Sequence, residues 1–240
     1  MPTLKTRNAA REKDQSHSRI GDDRIAELLD VAGEEFIAHG FEGASITEIA
    51  KRANSSKPTF YSRFPTKEKL FIAVLERRMN RIFSEVSTAL PMDPPIEQTL
   101  NEYGCRLLNL ALSQDQIALF RVVSMESPRF PALGERFYEL GPKRGHAFLS
   151  GYLEEQARRG RVMKEDPALM AEHFTSLLTG GPVRWLVLGL QRNPIAKDAQ
   201  RHIGAAVKVF LRAYGLNNLN AENRCVTIPS AETRSPQQSS

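Results

Sequence analysis

The 240-residue chain has little cysteine and tryptophan, two residues of the first and one of the second, and no long uninterrupted apolar run. Cys105 and Cys225 lie far apart, so they form neither a metal-ligand spacing nor a disulfide framework, and we expect free thiols in a reducing compartment. The longest nearly apolar stretch, 177–190, contains Arg184 and a Gly-Gly-Pro break, and it is shorter than the roughly 20 residues that cross a bilayer. These absences argue against a disulfide-rich secreted scaffold and a membrane protein.

Signatures of catalysis and cofactor binding are also lacking. The sequence contains no P-loop, no dinucleotide-binding glycine fingerprint, no nucleophile elbow and no HExxH motif. Its five histidines are scattered, and no pair has metal-ligand spacing. We therefore expect no catalytic residue, no cofactor and no metal. The first 20 residues are basic but no apolar run follows them, so no secretory signal is predicted and we expect a cytoplasmic protein.

Charge is nearly balanced over the whole chain but is uneven locally. The 33 Lys and Arg against 28 Asp and Glu give a net charge of +5, which is a weak indication of an anionic partner. The window 45–69 holds six cations and two acids, whereas 20–44 holds one cation and seven acids. The excess of positive charge is therefore concentrated in 45–69.

Apolar residues recur at helical spacing through the middle of the chain, and no useful length alternates with period two. This pattern predicts an all-α fold without strands. Capping residues and prolines place helices at about 22–39, 45–53, 55–63, 66–90, 96–112, 115–127, 132–159, 167–191 and 196–214. Two of these helices are predicted to be disturbed, at Gly141-Pro142 and near Pro182.

The predicted helices divide the chain into two domains with a tail at each end. Residues 1–20 and 217–240 are polar without periodicity, and we expect disordered tails, the first of them basic. Two short helices joined by a tight turn, with a longer helix before and after, make a helix-turn-helix unit within 21–68. The remaining segment, 69–216, is predicted to be a helical bundle.

A specific series of motifs lies between Arg24 and Phe71. It contains HGFEGASITEIAKRANSSKPTFYSRFPTKEKL, in which G-F, I-A, T-F-Y, F and K-E-x-L stand at fixed spacing. This segment resembles the N-terminal DNA-binding domain of TetR-type transcriptional repressors over its whole length without a gap. Asn54 stands where that family usually has Gly, and because Asn tolerates positive φ the turn should be preserved. Residues 119–142 also resemble part of the ligand domain of the AefR-like branch.

The resemblance implies a surface that binds double-stranded DNA through helix-turn-helix residues. Those at the start of the second short helix match positions that reach base edges and should set sequence preference: Ser56, Lys57, Pro58 and Thr59. Others match positions that contact phosphates and should set affinity and register: Ser45, Thr47, Tyr61, Ser62, Arg63 and Lys67. The structural alternatives are a half-buried core aromatic for Tyr61, a helix cap for Ser45 and Thr66, and solvated charge for Lys67 or Arg63. We assign four apolar side chains to the core: Ile49, Ala50, Phe60 and Phe64.

A DNA-binding unit of this size contacts only a short half-site, so specificity requires two copies about one helical turn apart. The resemblance implies a homodimer through the last two predicted helices. In the last one, small side chains lie beside apolar ones and would allow close approach: Ile203, Gly204, Ala205, Ala206, Val207, Phe210 and Leu211. Intrachain packing is the alternative for each. Pro182 departs from an unbroken dimer helix.

The resemblance also implies a small-molecule effector that binds among the central helices. The candidate lining residues are Phe83, Cys105, Leu108, Phe120, Met125, Phe137, Phe148, Phe174 and Trp185. Plain hydrophobic core is the alternative for each of them.

The implied function is that of a repressor, which binds a palindromic operator as a homodimer and is released by a small hydrophobic effector. The sequence does not separate repression from activation. Two other classes stay open, a helical enzyme or carrier with a vestigial DNA-binding domain and a nonspecific architectural DNA-binding protein.

Overall fold

The structure is a computed structural model that describes residues 4–55, 57–190 and 198–216, with side chains from residue 23 onward except those of residues 57 and 59. Within these ranges it is helical and has no strand, with one isolated antiparallel bridge between Val162 and Gly215. The expected all-α fold is confirmed.

The helices follow the predicted order. They are α1 Leu4–Gly43, α2 Ile46–Arg52, α3 Lys57–Arg63, α4 Lys67–Val86, α5 Ile96–Ala111, α6 Gln114–Glu126, α7 Pro131–Tyr138, α8 Arg144–Arg158, α9 Pro167–Val187 and α10 Ala199–Tyr214. Most bounds agree with the predictions to within a few residues. The exceptions are α1, which begins well before the predicted start near Asp22, and α4, which ends before Leu90.

The bend in α1 falls where the sequence predicts the end of the first helix. Gly40 adopts φ 70°, ψ 179°, outside the helical region, and a short helical segment continues beyond it to Gly43. The side chains of 4–22 lie outside the described set, and so does the whole segment 217–240. The backbone of 4–20 belongs to α1, which departs from the disorder expected of the first tail, whereas the disorder expected of 217–240 stays a prediction.

The disturbance predicted at Gly141-Pro142 is a π-helical turn, Glu139–Lys143, that joins α7 to α8. Proline has no amide hydrogen and crowds the preceding turn, so one α-helical hydrogen bond is lost, and the single π turn accommodates the proline ring. At Pro182, by contrast, α9 continues as one helix to Val187, with the proline ring buried.

Buried apolar side chains form two clusters, which α4 connects. The first cluster packs α1 to α4 with α6 and α7, and Phe36 meets Phe71 edge-to-face with ring centroids 4.7 Å apart. The second packs α5, α8, α9 and α10, with Phe174 against Phe210 at 5.2 Å. Residues of α4 from Leu70 onward belong to the first cluster, and its last residue, Val86, belongs to the second. Movement of α4 therefore affects both clusters.

Candidate functional site

Ser45, the residue before α2, makes two hydrogen bonds that hold the start of this helix. Ser45 Oγ accepts from the Glu48 amide at 3.3 Å, as the capping pattern predicts. The Ser45 amide donates to Glu35 Oε1 on α1 at 3.1 Å. In a capping box the Glu48 side chain would accept this bond, and here Glu35 accepts it instead. Glu35 is only 4% exposed and also pairs with His39 and Arg52. A buried carboxylate on α1 thus fixes the position of α2.

The turn between α2 and α3 has the geometry expected where Asn54 stands in place of the family's usual glycine. Asn54 has φ 47°, the positive value that the family glycine normally supplies. The Ser55 amide donates to the Ala50 carbonyl at 2.9 Å, and the Asn54 amide donates to the Lys51 carbonyl at 3.2 Å. These two bonds form a Schellman motif, which satisfies the last carbonyls of α2 and sets the direction of α3.

One face of α3 is buried and the other is exposed. Phe60 and Phe64 belong to the first cluster, as do Ile49 and Ala50 of α2. Tyr61 is 51% exposed and meets the Phe60 ring edge-on at 5.8 Å. The exposed predicted DNA contacts in α2, α3 and the preceding cap are Ser45, Thr47, Pro58, Tyr61, Ser62 and Arg63. The side chains of Lys57 and Thr59 and the whole of Ser56 lie outside the described set.

Lys67 makes intramolecular contacts at the start of α4. Its ammonium donates to the Glu42 carbonyl at 2.7 Å and lies 5.4 Å from the centre of the Phe41 ring. Thr66 caps the helix by accepting from the Lys69 amide at 3.1 Å. An ammonium has three donors, so two N–H groups of Lys67 are left for other acceptors. Its charge nevertheless also holds α4 to the end of α1.

A cavity of about 620 Å³ lies between the helices α4 to α9 and the π turn. Among the aromatic side chains predicted to line an effector site, Phe83, Phe120 and Phe137 line it, and the last two rings stack at 5.5 Å. Its volume is within the range of small-molecule sites.

Six other predicted lining residues lie outside this cavity, which corrects their placement. Leu108 and Phe174 are buried in the second cluster, and Cys105 and Phe148 pack against it. The remaining two, Met125 and Trp185, are on the surface, 76% and 37% exposed. All six lie on helices that border the cavity, but each helix is rotated so that these side chains do not line it.

Two polar groups of the cavity, on Tyr103 and Gln116, were not identified from the sequence as ligand contacts. Tyr103 is fully buried, its hydroxyl has no hydrogen-bond partner, and burial raises its pKa to about 12. Gln116 Oε1 is likewise buried without a partner. A signal was available in the helical spacing, because Gln116 and Phe120 are one turn apart on the same face of α6, as are Tyr103 and Leu107 on α5.

His146 and Thr175 satisfy each other across the cavity wall. His146 Nε2 lies 2.8 Å from Thr175 Oγ1, and this hydroxyl donates its one proton to the Ala171 or Glu172 carbonyl, each at 3.0 Å. The imidazole must therefore donate from Nε2, which fixes its tautomer. Burial lowers the pKa of His146, so the ring is neutral at physiological pH.

The predicted dimer residues of α10 divide between two faces. Ile203, Ala206, Val207 and Phe210 are buried within their own chain, so for these four the intrachain alternative is the one observed. Gly204 and Leu211 are half-buried, and Ala205 is exposed. The large apolar side chains exposed along α9 and α10 are Leu169, Leu177, Trp185 and Val209.

In the described ranges, no helix is both long and apolar enough to cross a membrane. A search of the same residues for three or more grouped His, Cys, Asp or Glu side chains that could hold a metal ion finds none.

Two family models match the chain. The first describes bacterial regulatory proteins of the tetR family and matches residues 28–74. The second describes the C-terminal domain of AefR-like transcriptional repressors and matches residues 98–216. Between them they cover the helix-turn-helix unit and most of the cavity.

Curated relatives match different lengths of the chain. The HTH-type transcriptional activator FasR of Mycolicibacterium smegmatis is 42% identical over 69 residues, which is 29% of this chain and 32% of FasR. The HTH-type transcriptional repressor ComR of Escherichia coli is 27% identical over 158 residues, 63% of this chain and 74% of ComR. The FasR match thus spans only about a third of that relative.

Solved structures match nearly the whole fold. A TetR-family transcriptional regulator from Mesorhizobium loti has a TM-score of 0.76 and 28% identity, over 81% of this chain and 98% of that one. The flavonoid-responsive regulator FrrA has a TM-score of 0.68 and 29% identity, with the same coverage. These relatives are transcriptional regulators and not enzymes.

Proposed function

Because this chain belongs to the TetR family of DNA-binding transcriptional regulators and has an AefR-like C-terminal domain, we propose that it represses transcription as a homodimer on a palindromic operator and leaves that operator when a small effector binds. The observation that carries this proposal is the position of α4. Its first half is buried among the helices of the DNA-binding domain, and Phe83 and Val86 near its end line the cavity.

The exposed face of α3 is the proposed recognition surface. Base contacts fall to Ser56, Lys57, Pro58 and Thr59 at its start, where a lysine can donate to guanine and the Pro58 ring can contact a thymine methyl group. Phosphate contacts fall to a second set around them, namely Ser45, Thr47, Tyr61, Ser62, Arg63 and Lys67. The first set determines which sequence is bound, and the second determines affinity and register.

A two-fold dimer brings two such surfaces to one operator. The exposed apolar side chains of α9 and α10 support a dimer contact there, since a second copy would remove them from water. Ala205 and Val209 lie on the outward face of α10, and Leu177 lies on that of α9. The operator is then a palindrome whose half-sites lie about one helical turn apart.

Contacts beside the cavity reach the DNA-binding domain. Asp115, next to the lining residue Gln116, forms an ion pair with Arg78 of α4 at 3.4 Å. The Arg78 side chain packs so closely on α1 that a Cβ atom at Gly33 would lie 2.7 Å from Nε. A ligand that shifts α6 or α4 therefore moves α1 as well. A preference of about 1–3 kcal/mol for the shifted arrangement weakens operator binding some 5–150-fold.

The effector is proposed to be small and largely apolar, because most of the cavity wall is aliphatic or aromatic. The similarity to the flavonoid-responsive regulator FrrA makes hydroxylated aromatic compounds the first class to test. An activator role is the second candidate, favoured by the similarity to the activator FasR, although that match is confined to a short part of the chain.

Selection of bound duplexes from a random pool at physiological salt tests the DNA-binding part of the proposal. We expect a palindromic motif, bound at least about 10³-fold tighter than random DNA. The matched variants are Arg63→Ala, expected to weaken binding, and Lys164→Ala on the exposed loop after α8, expected to leave it unchanged. Recovery of no motif, or of a motif without two-fold symmetry, contradicts the proposal. A promoter fused to the recovered site then distinguishes repression from activation.

A further inference from the structure

The wall of the cavity carries no carboxylate among its described residues. Its one permanent charge is that of Arg184, which is exposed at the rim, and His146 is neutral and paired with Thr175. An organic cation placed inside would lose its hydration and find no opposite charge. The wall therefore offers a cation only the faces of its aromatic rings, and one of these, Phe83, already has the Arg144 guanidinium 4.0 Å from its centre.

Two polar groups of this wall have no partner within the protein. The Tyr103 hydroxyl comes from α5 and Gln116 Oε1 comes from α6, and both atoms are buried. Most buried polar atoms in native proteins are hydrogen-bonded, and leaving one unpaired is costly. The two groups differ in this respect from His146 and Thr175, which satisfy each other in the same wall.

We propose that Tyr103 and Gln116 bind the hydroxyl group of an uncharged, largely apolar ligand, and that the cavity rejects organic cations of the same size. The inference rests on the proposed function only in placing the effector in this cavity. Gln116 Oε1 can only accept a hydrogen bond, so the ligand must supply a donor. The Tyr103 hydroxyl can donate or accept, so it can bind a ligand hydroxyl in either role.

The rest of the wall determines the shape of the ligand. Phe120 and Phe137 stack with an interplanar angle of 19° and both line the cavity, next to Ile82 and Val183. Flat aromatic surface beside aliphatic side chains favours a flat ring system with its hydroxyl at one end. An anionic ligand is the competing class, since a carboxylate at the rim would meet Arg184.

Titration calorimetry on the full chain tests the ligand class. The panel uses biphenyl, naphthalene and flavone scaffolds, each unsubstituted and with a hydroxyl, a trimethylammonium or a carboxylate group. We expect hydroxylated compounds to bind about tenfold tighter than their unsubstituted parents, and the ammonium forms to bind weakest. Tighter binding of any charged form, or no binding by any neutral member, overturns the inference.

Substitutions test which residues bind the hydroxyl. Tyr103→Phe and Gln116→Met should each remove most of the preference for the hydroxylated compound. Tyr152→Phe makes the same change at a buried tyrosine outside the cavity, and it should preserve the preference. The free Tyr103→Phe protein should unfold at the same temperature as the wild type or higher, because the substitution removes an unpaired buried hydroxyl. Survival of the preference in both cavity variants overturns the assignment.

Operator binding, measured separately by fluorescence anisotropy, distinguishes this inference from the proposed function. A hydroxylated compound that binds through Tyr103 but leaves operator affinity unchanged supports the ligand class and contradicts release by an effector. A charged compound that binds better than the hydroxylated one and releases the protein from its operator contradicts the ligand class and supports release by an effector.

Discussion

The DNA-binding domain and the cavity treat buried polar groups in opposite ways. Around α2 and α3 the polar groups are paired, as when the buried Glu35 carboxylate accepts from the Ser45 amide and the Lys67 ammonium donates to a carbonyl. In the cavity wall, Tyr103 and Gln116 keep buried atoms without partners. The paired groups fix the geometry of the DNA-binding domain before DNA binds, whereas the unpaired groups of the cavity gain hydrogen bonds when a ligand binds.

Packing shows the same contrast. Phe71 is fully buried and contacts the Phe36 and Phe41 rings, whereas Phe120 borders open volume. We expect one domain to resist deformation and the other to change shape on binding.

Truncation of a matched pair of phenylalanines tests this contrast and should give the largest effect. Phe71→Ala should lower the free energy of unfolding by about 3–5 kcal/mol, because the closed cluster cannot fill the space left behind. Phe120→Ala only enlarges an existing cavity and should cost less than half as much. Urea unfolding followed by circular dichroism measures both values. Equal losses would show that the two regions are packed alike.

The buried carboxylate of the DNA-binding domain gives the next largest effect. Glu35→Ala should destabilise the protein by about 1–3 kcal/mol, since it leaves the Ser45 amide without a partner and removes one of the two carboxylates that pair with Arg52. The control is Glu34→Ala, which removes a mostly exposed partner of Arg52 and should change stability by less than about 1 kcal/mol. If the two variants unfold alike, Glu35 does not hold α2 in place.

Base preference should depend on Lys57. Replacing it with Ala should relax sequence preference at one position of each half-site, by about 1–3 kcal/mol for the preferred base. Competition between operator and single-site variants measures this loss. A uniform loss of affinity for every sequence would instead make Lys57 a phosphate contact.

Lys67 has two possible roles, and a salt titration separates them. As a phosphate contact, its replacement by Ala should weaken binding to all duplexes and reduce the slope of log affinity against log salt by about one. If Lys67 is purely structural and only bonded to the Glu42 carbonyl, its replacement should lower thermal stability and leave that slope unchanged. Lys164→Ala is the control for both measurements.

The smallest predicted effect concerns acid stability. Arg77 donates two hydrogen bonds to Asp30 at 2.8 and 2.7 Å, which lowers the pKa of this carboxyl. Because the folded pKa lies below the unfolded value near 3.9, the pair stabilises the protein above that pH and loses its contribution as the pH falls through the folded pKa. Asp30→Asn should reduce stability at pH 7 by at most about 1 kcal/mol, since the pair is partly exposed, and the difference should shrink as the pH falls below about 3.9. A difference that stays constant as the pH falls would assign the effect to packing.

The sequence predicts local features of the DNA-binding domain well, because they depend on neighbouring residues. The cap at Ser45, the positive φ of Asn54 and the cap at Thr66 each involve contacts within a few positions, and all three are present. The Glu35 contact with Ser45 was not predicted, since it joins two helices through a buried side chain.

The cavity was harder to predict because its lining depends on how each helix is rotated. Aromatic composition identifies the helices that surround a cavity but not which side chains turn inward. Phe120 lines it while Met125, more than one turn later on α6, is exposed. The aromatic criterion gives no role to the Tyr103 hydroxyl and passes over Gln116, yet these two polar groups are the ones best suited to bind a ligand. The same dependence on rotation left open whether Phe210 packs within its own chain, where it is buried, or against a second copy.

The central claim is that occupation of the cavity changes the DNA-binding domain through α4. The most direct test is the affinity of the full chain for its selected operator, measured by fluorescence anisotropy with and without a saturating amount of the hydroxylated compound that binds tightest. The account predicts a loss of about 5–150-fold, and a much smaller loss in the Tyr103→Phe variant at the same ligand concentration. Unchanged operator affinity with the cavity shown by calorimetry to be occupied would contradict it.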